Sequence, residues 1–276
     1  MHDDEFDKPA TIAAAMIGVL PSPTGDITPQ IKPSTTYTTD QGYMYYRNSG
    51  PGLTDTETVL CKLEGGADAL LFSSGMASAT HLLLALGPGS HILAPETMYW
   101  FLRSWMTKQA PALGLEISLY PNGDLDAVKA GIRPVETKAV WAETPSNPDW
   151  SLMDIAACAE LAHAHGVKLF VDSTSATPVL TRPLDFGADI VMHSATKYLN
   201  GHSDVLAGAL ITREKDDFWE SVRDVRTGLG STLGAMEAWL LLRGMRTLDV
   251  RMQRHSENAM RVATALLDHP GVSHVL

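Results

Sequence analysis

Short apolar runs alternate with longer segments of helical spacing, and this alternation limits the folds open to the chain more than any other feature. Several runs are apolar on both faces, as strands covered on both sides are. The runs read as strands are 67–72, 90–95, 138–143, 167–172, 188–193 and 205–212. Helical spacing is clearest in 75–86, 99–114 and 154–166. The pattern predicts an α/β fold with a mostly parallel central sheet and helices on both faces.

Charge and cysteine content narrow the function classes. The net charge of -11 argues against nucleic-acid or anionic-membrane partners, which need a basic surface. Cys61 and Cys158 form no CxxC pair, which indicates reduced thiols and a cytoplasmic protein. The apolar stretch 11–20 follows the acidic segment MHDDEFDK and is too short to span a bilayer. We interpret it as a docking helix rather than a secretory signal.

The chain divides into three predicted parts. Residues 1–53 are rich in Pro, Thr and Tyr with little periodicity, and we expect an irregular arm that crosses to a neighbouring subunit. Residues 54–245 form the predicted large domain. Residues 246–276 are expected to form a linking helix and the start of a further domain. The end of that last part, HPGVSHVL, reads as the first strand of that domain.

Polar side chains follow four of the predicted strands. SSGM opens a helix after 67–72, TPSNP follows 138–143, Asp172 ends 167–172, and Ser194, Thr196 and Lys197 follow 188–193. Each could be a simple cap or turn, and for SSGM taken alone a simple serine N-cap is the stronger interpretation. In parallel sheets, however, ligands bind beyond the carboxyl ends of the strands.

Together these groups suit pyridoxal phosphate (PLP). That cofactor needs a lysine for its Schiff base, an acid that keeps its ring nitrogen protonated, and hydroxyls and amides for its phosphate. Lys197 and Asp172 would supply the first two. We expect Lys197 to be held inside the protein with a lowered pKa, so that it acts as nucleophile and base.

The segment VDSTSATPVLTRPLDFGADIVMHSATKYLNGHSDVLAGAL resembles the signature region of the PLP-dependent Cys/Met-metabolism (transsulfuration) enzymes. These include cystathionine γ-synthase and cystathionine β-lyase. The resemblance implies the type I, aspartate-aminotransferase-like fold and a homodimer or homotetramer with shared active sites. It also implies an enzyme that makes or breaks a C–S bond of a small amino acid, by β- or γ-elimination or replacement.

The resemblance assigns roles around the reactive lysine. Lys197 matches the Schiff-base lysine, and Asp172 the partner of the pyridinium nitrogen. Ser194 and Thr196 match phosphate ligands. Asn147 matches an asparagine near the ring hydroxyl.

Further roles fall on two other segments. Gly75 and Met76 match the backbone-amide phosphate site, and Tyr99 matches the catalytic tyrosine that stacks on the cofactor ring. Tyr45 and Arg47 match a Tyr-x-Arg pair that reaches the phosphate of the neighbouring subunit.

The chain also departs from the family pattern. Tyr99 is followed by Trp100, Phe101 and Leu102, where many relatives read Tyr-Gly-Gly-Thr. Methionine γ-lyases carry a cysteine at the place of Phe101, which disfavours that activity. In the family the chain continues into a small C-terminal domain that bears the arginine for the substrate carboxylate, and we expect this sequence to stop where that domain would begin. Two alternatives therefore stay open: another PLP reaction such as transamination or decarboxylation, and a PLP-binding chain without full activity.

Overall fold

The computed structural model describes residues 8–15, 26–38 and 42–275. Its strands are β1 (Asp68–Phe72), β2 (His91–Pro95), β3 (Glu116–Tyr120), β4 (Thr137–Glu143), β5 (Lys168–Asp172), β6 (Ile190–His193) and β7 (Gly208–Thr212). Its helices are α1 (Pro9–Ala15), α2 (Leu53–Glu64), α3 (Gly75–Leu84), α4 (Trp100–Lys108), α5 (Leu125–Gly131), α6 (Ile155–Ala164), α7 (Thr177–Leu180), α8 (Asp217–Leu229), α9 (Ala235–Met245) and α10 (Leu248–Leu267). Two short 3₁₀ helices lie at Ala110–Leu113 and Pro183–Phe186.

In this part of the chain the strands form one seven-stranded sheet in the order β1-β7-β6-β5-β4-β2-β3. Strands β2 to β6 are parallel, and β7 runs antiparallel to both of its neighbours, β1 and β6. The carboxyl ends of β1, β4, β5 and β6 therefore share one edge of the sheet. The predicted α/β fold with a mostly parallel sheet is confirmed.

Apolar side chains on both faces of each central strand build two hydrophobic cores. Val140 and Ala142 of β4 belong to one core, whereas Ala139 and Trp141 belong to the other. Helices α2, α6 and α9 cover the first face, and α3, α4 and α8 cover the second. This explains why the strands read as continuous apolar runs rather than as alternating ones.

Two sequence predictions need correction in the region between β2 and β4. Strand β3 was not predicted; it lies at the sheet edge and is half exposed, so it lacks the continuous apolar run of the central strands. The predicted helix 99–114 stops at Lys108 and continues as a 3₁₀ turn around Pro111. Proline removes a backbone donor and disfavours the helical conformation of the residue before it, so the α-helix ends there.

Strand β7 begins at Gly208, three residues later than the run 205–212 predicts, while the other predicted strands begin or end within two residues of the observed bounds. Helix α1 confirms the first part of the docking helix predicted in 11–20, and residues 16–20 lie outside the described residues. Residues 270–275 form turns and no strand, contrary to the prediction for HPGVSHVL. Among the described residues, no strand lies beside this segment to pair its backbone groups.

The side chains of Arg226 and Thr232 hold the end of the N-terminal arm against the large domain. Arg226, fully buried, donates to Glu57 Oε1 (2.6 Å) and to the carbonyl oxygen of Asn48 (3.0 Å). The Thr232 hydroxyl donates to the carbonyl oxygen of Arg47 (2.7 Å). The main chain at 47–48 is therefore fixed while the Arg47 side chain is exposed. Whether the arm crosses to another subunit, and whether domains divide at 53 and 245, stay predictions.

No helix within 8–15, 26–38 and 42–275 is long and apolar enough to cross a membrane.

Candidate active site

A cavity of about 960 Å³ lies at the edge of the sheet where the carboxyl ends of β1, β4, β5 and β6 meet. Eight of the ten site residues predicted from the sequence line it. They are Gly75, Met76, Tyr99, Asn147, Asp172, Ser194, Thr196 and Lys197. The sheet topology thus brings together side chains that are up to 122 positions apart in the chain (75 to 197).

The turn after β1 forms a cradle for an anion. Gly75 begins α3, and the Ser74 hydroxyl accepts a hydrogen bond from Ala77 N (3.0 Å) as its N-cap. The amides of Gly75 and Met76 have no acceptor among the described residues and point from a helix N-terminus, which favours negative charge. A Cβ atom at Gly75 would lie 2.8 Å from the Ser194 Oγ atom, so only glycine allows the two segments to approach this closely.

Asp172 is the last residue of β5 and is only 6% exposed. Its Oδ1 atom accepts hydrogen bonds from Thr174 N (3.0 Å) and the Thr174 hydroxyl (2.6 Å). Thr174 Oγ1 in turn accepts from Ser194 N (2.8 Å), which connects the ends of β5 and β6. Burial raises the pKa of Asp172, although the bonds from Thr174 and the charge of His193 oppose this. No lysine or arginine of the described residues pairs with it.

Lys197 lies in the tight turn after β6, where its amide donates to Ser194 O (3.0 Å). Its ammonium makes no hydrogen bond or ion pair with any residue that the structure describes. The side chain is exposed, so the prediction of an enclosed lysine is wrong in this respect. The cavity that it lines opens to solvent, and the amine is reachable from outside.

Thr196 faces the same cavity, but its hydroxyl is already engaged. It donates to Ala207 O (3.1 Å) and accepts from Ala207 N (2.9 Å), which ties the lysine turn to the segment before β7. Its role as a phosphate ligand stays a prediction.

Glu143 is the site residue that the sequence reasoning missed. It ends β4 beside Asp172 of β5, and it is 8% exposed. Its Oε2 atom accepts from Tyr99 N (2.8 Å) and its Oε1 atom from Asn147 N (2.7 Å). Burial, followed by the neighbouring charge of Asp172, raises the pKa of Glu143 to about 8. An acidic residue at the end of the run KAVWAE was the available signal.

His193 lies directly behind this edge and is fully buried. Its Nε2 atom is 2.5 Å from Glu64 Oε1, and Glu64 is also fully buried. His193 is therefore a hydrogen-bonded residue of the core.

Tyr45 and Arg47 do not line the cavity of their own chain. The Arg47 guanidinium lies 5.3 Å from the centre of the Tyr45 ring, and both side chains are exposed. The two residues are close to each other but separate from the eight that share the cavity.

The residues present fit PLP. One cavity is lined by an amine and a buried carboxylate, neither of which has an ionic partner among the described residues, and by the helix N-terminus at Gly75. These are the groups needed for an aldehyde, a protonated ring nitrogen and a phosphate. Lys197, Asp172 and the amides of Gly75 and Met76 would hold the three parts.

The class defined by this fold and site is confirmed by comparison with known proteins. The family model described as "Cys/Met metabolism PLP-dependent enzyme" matches residues 14–276, and the chain belongs to this family. The enzymes of this family depend on pyridoxal phosphate, the cofactor that the cavity residues fit.

Individual relatives share about two fifths of the sequence. An L-methionine γ-lyase of Treponema denticola is 42% identical over 86% of this chain and 59% of that enzyme. A cystathionine γ-synthase of Mycobacterium tuberculosis is 42% identical over 97% of this chain and 70% of that enzyme. The crystal structure of metB from Corynebacterium glutamicum superposes with a TM-score of 0.93 at 35% identity, covering 99% of this chain and 72% of that one. This chain thus spans less than three quarters of each of these three proteins.

The raised pKa of Glu143 predicts a pH-dependent stability in the cofactor-free protein. Between its ordinary pKa of 4.5 and its folded value of about 8, the folded state binds more protons than the unfolded state. The free energy of unfolding should therefore fall as pH rises through this interval, and stay level above it. Glu143→Gln removes this contribution, while Asp172 still contributes in the same direction.

Urea unfolding of both cofactor-free proteins at pH 5, 6, 7 and 8 measures the effect. The free energy of unfolding of Glu143→Gln, relative to wild type, should increase steadily from pH 5 to pH 8. The exposed Glu136→Gln is the control and should show a constant difference. A constant difference for Glu143→Gln would contradict the assignment of its pKa.

Proposed function

We propose that this protein is a PLP-dependent enzyme of sulfur amino-acid metabolism that makes or breaks a C–S bond of a small amino acid. The observation that carries the proposal is the shared cavity, which is lined by both the exposed amine of Lys197 and the buried carboxylate of Asp172. Family membership supports it, and the relatives named above are a synthase and a lyase of this chemistry.

Each protein group has a defined task in this proposal. Bound PLP supplies an electron sink for the charge that develops at the substrate Cα. Lys197 Nζ, which has no partner among the described residues, takes the proton from Cα. Asp172 holds a proton on the ring nitrogen, since a buried carboxylate is stabilised by a cation beside it. The amides of Gly75 and Met76 bind the phosphate.

The position of the leaving group decides which further proton transfers are needed. A leaving group on Cβ departs directly, with the Tyr99 hydroxyl as candidate acid. A leaving group on Cγ requires a second proton to be taken from Cβ, which Lys197 could also do once it had passed the Cα proton to the bound cofactor. We propose that the leaving group departs from Cγ. Relatives at 40–42% identity include a cystathionine γ-synthase, a methionine γ-lyase and a cystathionine γ-lyase.

Incubation of the PLP-loaded protein with a panel of substrates tests this function. Cystathionine, O-succinylhomoserine with cysteine, O-acetylhomoserine with sulfide, and methionine cover synthase and lyase reactions. We expect at least one thioether or keto-acid product, and Lys197→Ala should lower its rate by a hundredfold or more, on the order of the effect of losing a general base. Absence of every product, or wild-type rates in Lys197→Ala, would contradict the proposal.

We further propose that two copies of the chain build each site. A phosphate group carries negative charge, yet Lys197 and His255 are the only cavity-lining residues of the described chain that can bear positive charge. Arg47 is exposed and lies outside its own cavity, on a backbone fixed by Arg226 and Thr232. A two-fold dimer in which each Arg47 reaches the other copy's phosphate would supply the missing charge reciprocally.

Mixing two variants, each inactive at a limiting PLP concentration, tests the shared site. Arg47→Ala should weaken PLP retention by about tenfold or more, because a charge-assisted contact is lost, and Lys197→Ala should abolish turnover. A hybrid dimer contains one site with both residues intact, so activity should partly return as subunits exchange. Mass measurement verifies exchange; exchanged dimers without activity would contradict the shared site.

The two cysteines are consistent with a cytoplasmic location, which we also propose. Both are free thiols, and burial raises the pKa of Cys61 to about 11 and that of Cys158 to about 12. Such thiols stay protonated and unreactive at neutral pH.

A further inference from the structure

One carboxylate holds both segments that flank the predicted position of the cofactor ring. Glu143 Oε2 accepts the Tyr99 amide at 2.8 Å and Glu143 Oε1 accepts the Asn147 amide at 2.7 Å. Tyr99 belongs to the loop that leads into α4, and Asn147 to the loop after β4. All three residues line the cavity.

The Tyr99 amide has a particular need for this partner. Tyr99 is the N-cap residue of α4, and its own side chain makes no capping hydrogen bond. Glu143 therefore fixes the start of the helix from outside, and with it the direction in which the Tyr99 side chain leaves the backbone. On the other side, Glu143 anchors the amide of Asn147 four residues along the chain.

Stability alone does not explain a carboxylate at this position. Glu143 is buried, forms no ion pair with the residues that the structure describes, and lies beside a second buried carboxylate, Asp172. Two like charges in a buried site destabilise the folded state unless one is protonated. A residue that costs stability and faces a cavity is a candidate for a functional role.

We propose that Glu143 is a positioning residue that fixes Tyr99 and Asn147 on the two sides of the cofactor ring. This rests on the proposed PLP function. Glu143 touches neither substrate nor reacting atoms; it acts through the two backbone amides. Its loss should therefore loosen the bound cofactor without unfolding the protein.

The loops have other supports, so the effect of replacing Glu143 should be local. Asn122 accepts from Thr97 N (2.8 Å) and holds the loop before Tyr99. Ser146 N donates to Ser151 O (3.0 Å) and closes the turn that contains Asn147. Both contacts are independent of Glu143.

The test compares Glu143→Gln with the exposed control Glu136→Gln. In Glu143→Gln the amide nitrogen cannot accept, so one backbone N–H loses its partner. We expect the Kd of PLP for the cofactor-free protein to rise about tenfold, as the loss of one hydrogen bond implies. The visible circular dichroism of bound PLP should weaken, because the ring is held less rigidly. Cooperative unfolding of the cofactor-free protein should be retained, and Glu136→Gln should match wild type.

A second comparison separates positioning from a general structural effect. In a Tyr99→Ala/Asn147→Ala background, Glu143→Gln should change the Kd by less than about twofold, because the residues through which it acts are gone. An undiminished tenfold effect there, or no effect in the wild-type background, would overturn the proposal.

If Glu143→Gln does not fold, Glu143→Asp keeps the acid but is too short to reach both amides, and the same rise in Kd is expected. Failure of both variants to fold would make Glu143 a folding residue and overturn the proposal. Failure of the wild type to bind PLP would instead refute the proposed function.

Discussion

The shared direction of the strands is the constraint on which the site depends. Because β1, β4, β5 and β6 all end at one edge, the residues that follow them converge although they are far apart in sequence. The apolar runs give this edge its rigidity, since each central strand is buried in hydrophobic cores on both faces. Polar groups placed just beyond the last apolar residue are therefore held in fixed relative positions.

Electrostatics at this edge are unfavourable in the absence of a ligand. Asp172 and Glu143 are buried next to each other, and no lysine or arginine of the described chain compensates them. The amides of Gly75 and Met76, at the start of α3, have no acceptor in the part of the chain that the structure describes. A molecule with a cationic ring nitrogen and an anionic phosphate complements both features at once.

The sequence predicts this architecture well where burial controls it. Apolar runs located six strands and the end of β5 placed Asp172 correctly, because continuous hydrophobicity reports burial on both faces. The sequence pattern did not predict β3, which is an edge strand, and it predicted too long a helix for α4, where Pro111 ends the regular helix. Glu143 was missed for another reason: its role depends on contacts with Tyr99 and Asn147, which only the folded chain reveals.

The resemblance to a known family added what local patterns cannot give. Tyr45 and Arg47 lie in an irregular segment without periodicity, and in the structure they stand apart from the cavity of their own chain. Their predicted role needs a second copy of the chain, whose position no pattern within one chain encodes. For Lys197, the sequence correctly predicted a position after β6 at the edge of the sheet. It did not predict that the side chain is exposed.

The most direct measurement of the central claim is chemical mapping of the cofactor. The protein is loaded with PLP, reduced with borohydride, digested and analysed by mass spectrometry. The account predicts a pyridoxyl group on Lys197, the free amine of the cavity. A pyridoxyl group on Lys168 or Lys138, with Lys197 unmodified, would contradict this assignment. Neither of these two lysines lines the cavity, and Lys168 forms an ion pair with Asp216.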